Sequence, residues 1–382
     1  MDCSENQPAE GPIDAYLRQM VQRGASDLFL RAAAPPVCRV DGRIVRTDMP
    51  VPDAETVQRC MQGVLTPLAA ERFARSPDLD VAYTCQALGR FRINLFLHQG
   101  RPGLIARAIP SGQLDFETLN LPTSLREMAD APAGLVLVVG PTGCGKSTTL
   151  AAMVHHINAT RNGHIVTIED PIEFVHDEIE CLIHQRQVGS DTASFSTALR
   201  HVVRQSPDVI MIGEMRDAET MQTALSAGLT GHLVLTTLHT AGAVQCVDRM
   251  LGYFPPEARR QVQADLAATL VGVAAMRLLP RADGQGRLPA VEVLRGTPTV
   301  RRLLAEGKMA ELHDVMKRGG DDGMVTMNQS LVGLCTRGRV DRDVAEMHAP
   351  NASEFNLNVQ GMFTGIDSID LRTADSAARE EP

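Results

Sequence analysis

The chain has 382 residues, 44% hydrophobic and 22% charged, with a formal net charge of −9. That length suggests two to three domains at roughly 150 residues each, and that balance belongs to a soluble globular protein able to bury a sizeable core. The acidic total argues against bulk nucleic-acid binding. No apolar run approaches the roughly 18 residues of a membrane span, and the acidic start MDCSENQPAEGP is no signal peptide.

Residues 1–11 read as a flexible lead. PIDAYLRQMVQRG then carries Ile13, Leu17, Met20 and Val21 at helical spacing and stops at Gly24. SDLFLRA reads as a strand, and PVCRVDGRIVRTD as a β-hairpin turning at Asp41-Gly42. PDAETVQRCMQGVL, capped by Asp53, and PLAAERFARS read as helices. DVAYTC, GRFRINLFLHQG and PGLIARAI supply three more strands, so 12–110 is expected to be a small α+β domain. The Pro-containing stretch 111–122 reads as a linker.

From residue 123 the pattern changes. The apolar runs LVLVV, HIVTI, DVIMI and HLVLTTL alternate with helical stretches, the signature of a parallel sheet buried on both faces. This α/β core is expected over 123–300, followed by a helical extension over 301–364 and a disordered tail over 365–382. The eight Cys form no C-x-x-C pair, which excludes a zinc ribbon and leaves reduced thiols in a cytoplasmic protein as the better reading.

Chemistry concentrates in the second half. GPTGCGKSTT lies between an apolar strand and an apolar helix, as a phosphate-binding loop requires. Gly140, Gly143 and Gly145 would let the backbone N–H groups of the loop, which also holds Pro141, Thr142, Cys144 and Thr148, curl around a triphosphate at a helix N-terminus. Lys146 would reach the β- and γ-phosphates, and Ser147 would ligate Mg²⁺, making ATP and Mg²⁺ the expected cofactors. TIEDPIEF gathers Glu169, Asp170 and Glu173 past a strand end, where three carboxylates can hold metal-bound water and polarise an attacking one. In DVIMIGEMRD the strand ends in Gly213-Glu214, so Glu214 serves alone and meets Mg²⁺ through water. His232 and His239 bracket LVLTTL; His239 reads as a γ-phosphate sensor, while His232 is either its partner or structural. Arg92 and Arg107 fall on adjacent strands and could approach one point.

The ordered blocks GASDLFL, PPVCRVDG, FRINLF, GPTGCGKSTTL, TIEDPIEF, QRQVGSDTASFSTALR, PDVIMIGEMRD, TGHLVLTTLHT and GRLPAVEVL resemble the PilT/PilU group of type IV pilus retraction ATPases, within the secretion-type hexameric ATPases. The resemblance covers about 12–340. It implies a PAS-like N-terminal domain, a RecA-like P-loop ATPase domain with a helical C-terminal extension, and a homohexamer with ATP between the two domains. It gives Lys146 and Ser147 the Walker A roles, Glu173 that of the water-activating glutamate and Glu214 that of the Walker B acid. It pairs His232 with His239 and makes Arg92 and Arg107 the arginines brought to the γ-phosphate. It implies a cytoplasmic motor held at the inner membrane by a pilus platform protein; from the acidic balance no nucleic acid is expected. Cys144 departs from the usual Ser, where backbone does the binding. TVRRLLAEG departs from a PilT-type helix, and ELHDVMKRGGDDGM leans toward PilU, so an accessory subunit beside a paralogous retraction ATPase stays open. So do a non-motor regulator and another secretion-type ATPase (pilus extension, type II secretion or conjugation).

Overall fold

The computed structural model describes residues 11–40, 42–109 and 114–362; the expected lead before residue 11, Asp41 of the hairpin turn, the start of the expected linker and the expected tail lie outside them. The chain divides into two units, Met1–Gly112 and Gln113–Pro382.

The first unit holds α1 (Asp14–Gln22), β1 (Asp27–Arg31), β2 (Val37–Val40), β3 (Arg43–Arg46), α2 (Ala54–Val64), α3 (Pro67–Arg75), β4 (Asp78–Cys85), β5 (Gly89–His98) and β6 (Arg101–Ile109). Its antiparallel sheet runs β3-β2-β1-β6-β5-β4. Phe91, Ile93 and Leu95 alternate onto one face of β5 and are fully buried. Leu17 and Met20 of α1 and Val57, Cys60, Met61 and Val64 of α2 pack on the same cluster, at the spacing that aligns one helical face. Asp53 caps α2, accepting from Thr56 N at 2.8 Å. The opposite parity of the sheet carries charge. Arg92, Arg107, Asp27 and Arg39 face one another in turn across β5, β6, β1 and β2.

The second unit begins with α4 (Thr123–Ala129), β7 (Gly134–Val139), α5 (Lys146–Thr160), β8 (Gly163–Glu169) and β9 (Cys181–Gln187). It continues through α6 (Phe195–Val202), β10 (Val209–Ile212), α7 (Ala218–Leu229), β11 (Leu233–Leu238), α8 (Ala243–Gly252), α9 (Pro256–Thr269), β12 (Leu270–Pro280) and β13 (Arg287–Arg295). Five more helices follow: α10 (Pro298–Glu306), α11 (Met309–Arg318), α12 (Met327–Thr336), α13 (Arg342–His348) and α14 (Ala352–Val359). The sheet runs β13-β12-β7-β11-β10-β8-β9, parallel except for the β12–β13 pair. Every residue of β7, β10 and β11 is buried. Leu135, Leu137 and Val139 enter the core on one face, and Val136 and Val138 the core on the other. Each such side chain contributes about 1.5–3 kcal/mol of transfer free energy, which fixes this sheet at the centre of the unit.

Two expectations change here. The stretch read as linker is packed from residue 114 on: Phe116 is buried against Leu125 and Met128 of α4. The sheet also has three strands beyond the four apolar runs. The polar CLIHQRQ forms edge strand β9, burying only alternate residues, and β12, with Gly272, Ala274 and Ala275 in its first half, pairs with β13. The late helices then fold back on that hairpin, with Phe355, Leu331 and Met327 packing on Leu279 and Leu288.

Candidate functional site: a phosphate loop at the carboxyl edge of the sheet

β7 runs straight into the loop. Gly140 has φ +146°, and a Cβ there would lie 2.5 Å from Cys144 Sγ and 2.6 Å from Met276 O, so only glycine fits. Gly145 caps α5 with φ +98°, which turns the chain so that the first N–H groups of that helix face the loop. Lys146 is buried, and its Nζ donates to the carbonyls of Gly140 and Pro141 at 3.0 Å each, which holds the ammonium inside the loop. Ser147 and Thr148 follow on the half-buried first turn. Burial pushes the Cys144 thiol up despite the nearby Lys146 charge, so at neutral pH it stays protonated and serves as a small packing group. This geometry makes a nucleotide-binding loop.

The neighbouring strands bring further groups to the same edge. β11, beside β7, ends at His239, and β10, beside β11, ends at Gly213-Glu214. Thr237 Oγ1 donates to Gly213 O at 2.6 Å and locks the two strand ends together. His239 Nε2 stands 3.5 Å from Glu214 Oε2, and Arg216 pairs with the other carboxylate oxygen. Glu214 is thus held between two bases, with a half-exposed imidazole on the loop side.

The expected trio of acids separates. Glu169 ends β8, three strands and about 14 Å from β7. It is buried and accepts from Thr167 Oγ1 at 2.7 Å, Gln185 Nε2 at 3.2 Å and Glu173 N at 3.3 Å. Burial outweighs these bonds and raises its pKa. Its geometry is that of a buried anchor for the turn through Asp170 and Pro171, whereas Asp170 and Glu173 are exposed. His232 is not brought to the loop. It precedes β11, at the opposite edge of the sheet from His239, with Nδ1 3.0 Å from Ala227 O. The structural alternative for His232 is the one its surroundings favour within a single chain.

In the first unit, Arg92 and Arg107 are direct cross-strand partners. Asp80 accepts from Arg92, and the buried Asp27 accepts from Arg107 Nε at 2.8 Å and stands 3.5 Å from Arg39 Nε. Sequence reasoning missed these two carboxylates; their alternation with the arginines across strands was the signal that could have found them. Oxygen donors suit Mg²⁺, and the Ser147 hydroxyl and the Glu214 carboxylate fit it. Because both Glu214 oxygens already face Arg216 and His239, an outer-sphere role through water suits it better than direct ligation.

The model for the Type II/IV secretion system protein family matches residues 2–319. The type IV pilus retraction ATPase PilT of Pseudomonas aeruginosa is 41% identical over 343 residues, 90% of this chain and 99% of that protein. The type IV pilus ATPase PilU of the same organism is 40% identical over 348 residues, 91% of each chain. A crystal structure of the pilus retraction motor PilT with bound ADP superposes with a TM-score of 0.84 at 39% identity, covering 89% of this chain and 97% of that one. The expected fold, an N-terminal α+β domain followed by a RecA-like ATPase domain, stands on that likeness. With the family model spanning most of its length and the phosphate loop within the match, the chain belongs to the Type II/IV secretion system protein family.

Proposed function

We propose that the chain is an ATP-hydrolysing motor that drives type IV pilus retraction as a ring of six, acting on a membrane platform protein. ATP hydrolysis is its activity. The observation that carries the reading is the Glu214–His239 pair beside a complete phosphate loop, in a chain that matches PilT along almost that protein's whole length. No helix among the described residues is long and apolar enough to cross a membrane; in this reading the platform protein makes the membrane contact.

In this reading Lys146 and the loop amides grip the β- and γ-phosphates, and His239 senses the γ-phosphate. Mg²⁺, held by Ser147 and through water by Glu214, would neutralise charge developing on the phosphates. Glu173, tethered through its backbone to Glu169, activates water. Arg92 and Arg107 supply the positive charge that the transition state demands, so hydrolysis and movement between the two domains are coupled. Lys146→Ala is expected to lower ATP turnover by about a hundred-fold or more. In cells, deletion of the gene is expected to leave pili extended and unretracted. Undiminished turnover in Lys146→Ala overturns the site, and cells lacking pili altogether would point to extension.

The near-equal likeness to PilU supports a second reading, an accessory subunit working beside a PilT-type motor. Retraction restored by this chain alone, in cells lacking every other retraction ATPase, decides between the two.

A further inference from the structure

The phosphate loop forms one wall of a cavity of about 740 Å³, from Pro141 to Cys144, with His239 on the β11 side. The rest of its basic lining lies outside the phosphate-loop, acidic and histidine motifs, although Arg287 falls in the GRLPAVEVL block. That part is made by Arg277 of β12, Arg287 at the start of β13 and His348 at the end of α13. Four lining side chains are basic and none is acidic, in a chain whose net charge is −9. The nearby acids are engaged elsewhere. Glu292 accepts from the backbone N–H groups of Ala243 and Met327, Glu214 faces Arg216 and His239, and Asp283 pairs with Arg281. Arg277 donates to His348 O and so ties α13 to the hairpin. Arg287 is exposed and, among the described residues, its side chain has no hydrogen-bond or ion-pair partner. Apart from the two imidazoles, the lining has no aromatic ring on which a nucleobase would stack.

We propose that this cavity is the departure site for the inorganic phosphate produced by hydrolysis, with Arg287 as its outer oxyanion contact. The inference rests on the ATPase reading. Water attacks the terminal phosphorus, the bond to the bridging oxygen breaks, and ADP, hydrogen phosphate and a proton result. ADP stays on Lys146 and the loop amides. The separated phosphate carries about two negative charges near neutral pH and must cross the protein surface. A guanidinium fork matches its oxygens, and a lining that holds His239, Arg277 and the exposed Arg287 but no acid favours its movement away from ADP.

The test is product inhibition of steady-state ATP turnover by the purified full-length chain, with added inorganic phosphate as the probe. Arg287→Gln is expected to raise the inhibition constant for phosphate by about ten-fold, the effect of one charge-assisted hydrogen bond, while KM for ATP and inhibition by ADP move far less. Arg287→Lys, which keeps the charge, should retain most of the phosphate sensitivity. An unchanged phosphate constant in Arg287→Gln overturns the proposal. A rise in step with KM for ATP also overturns it, because Arg287 would then grip the nucleotide itself. Absence of turnover in the unaltered protein would instead overturn the ATPase reading, and so separates the two failures.

Discussion

Replacing His176 with Gln should flatten the response of folding stability to mild acid. His176 follows the acidic turn, its backbone N–H donating to Gln185 Oε1 at 2.9 Å, and the same Gln185 side chain donates to Glu169 and Phe174 O. Burial, reinforced by the neighbouring His155, holds the imidazole down to about 4, against an ordinary 6.5. Above pH 6.5 both folded and unfolded chains carry it neutral, and its contribution is fully present. As pH falls below 6.5 the unfolded chain takes up a proton that the folded chain refuses, so stability is lost progressively until pH about 4. About 2.5 pH units at 1.36 kcal/mol each come to about 3 kcal/mol. Buried Glu169 shifts the other way, so the comparison must be between the protein and its variant and not between pH values alone. Urea unfolding of both at pH 7.5, 6, 5 and 4.5 measures the difference; Gln keeps a neutral hydrogen-bonding side chain throughout. The variant should gain on the unaltered protein at each acid step. Parallel curves across that range would refute the argument that His176 is held neutral by its surroundings.

Asp27→Asn removes the charge that pairs with Arg107 and Arg39, and should lower kcat for ATP about ten-fold with little change in KM; an unchanged kcat would separate Arg107 from the reaction. Gly140→Ala puts a methyl group onto Cys144 Sγ and Met276 O at a left-handed φ, and should cost about 1–3 kcal/mol with nucleotide affinity lost, read by calorimetric titration with ADP. Thr236, fully buried in β11, leaves its hydroxyl without a partner among the described residues. Thr236→Val should therefore stabilise the protein by about 1 kcal/mol in chemical denaturation, and a loss of stability would point to a hydrogen bond there.

The phosphate loop was legible because its chemistry is contiguous: glycine freedom, a lysine and a helix start all lie within ten letters. Burial is not local, and for that reason the run Glu169, Asp170 and Glu173 looked like one acidic set although its first member faces the interior. His232 and His239 bracket one strand in sequence, and that same strand carries them to opposite edges of the sheet. The Glu214–His239 pair was readable only as two separate residues, since parallel pairing of β10 and β11 is what joins them. Strands β9 and β12 escaped because an edge strand buries alternate residues and an Ala- and Gly-containing strand carries weak β-propensity. Arg277 and His348 lie in none of the recognised blocks, and Arg287 falls in GRLPAVEVL, which carried no assigned chemistry. The three meet only because the late helices return onto the β12–β13 hairpin.

The row of charges in the first unit bears on motion. Asp27 is buried, and a buried carboxylate stripped of its only cation is costly, by about 3–5 kcal/mol. Here it has two cations, one on each adjacent strand. Arg107 is two-thirds exposed, and if it turns to a phosphate as proposed, Arg39 remains as counter-ion. In the proposed cycle Asp27 would thus release and recover the arginine without the interior ever holding a bare anion.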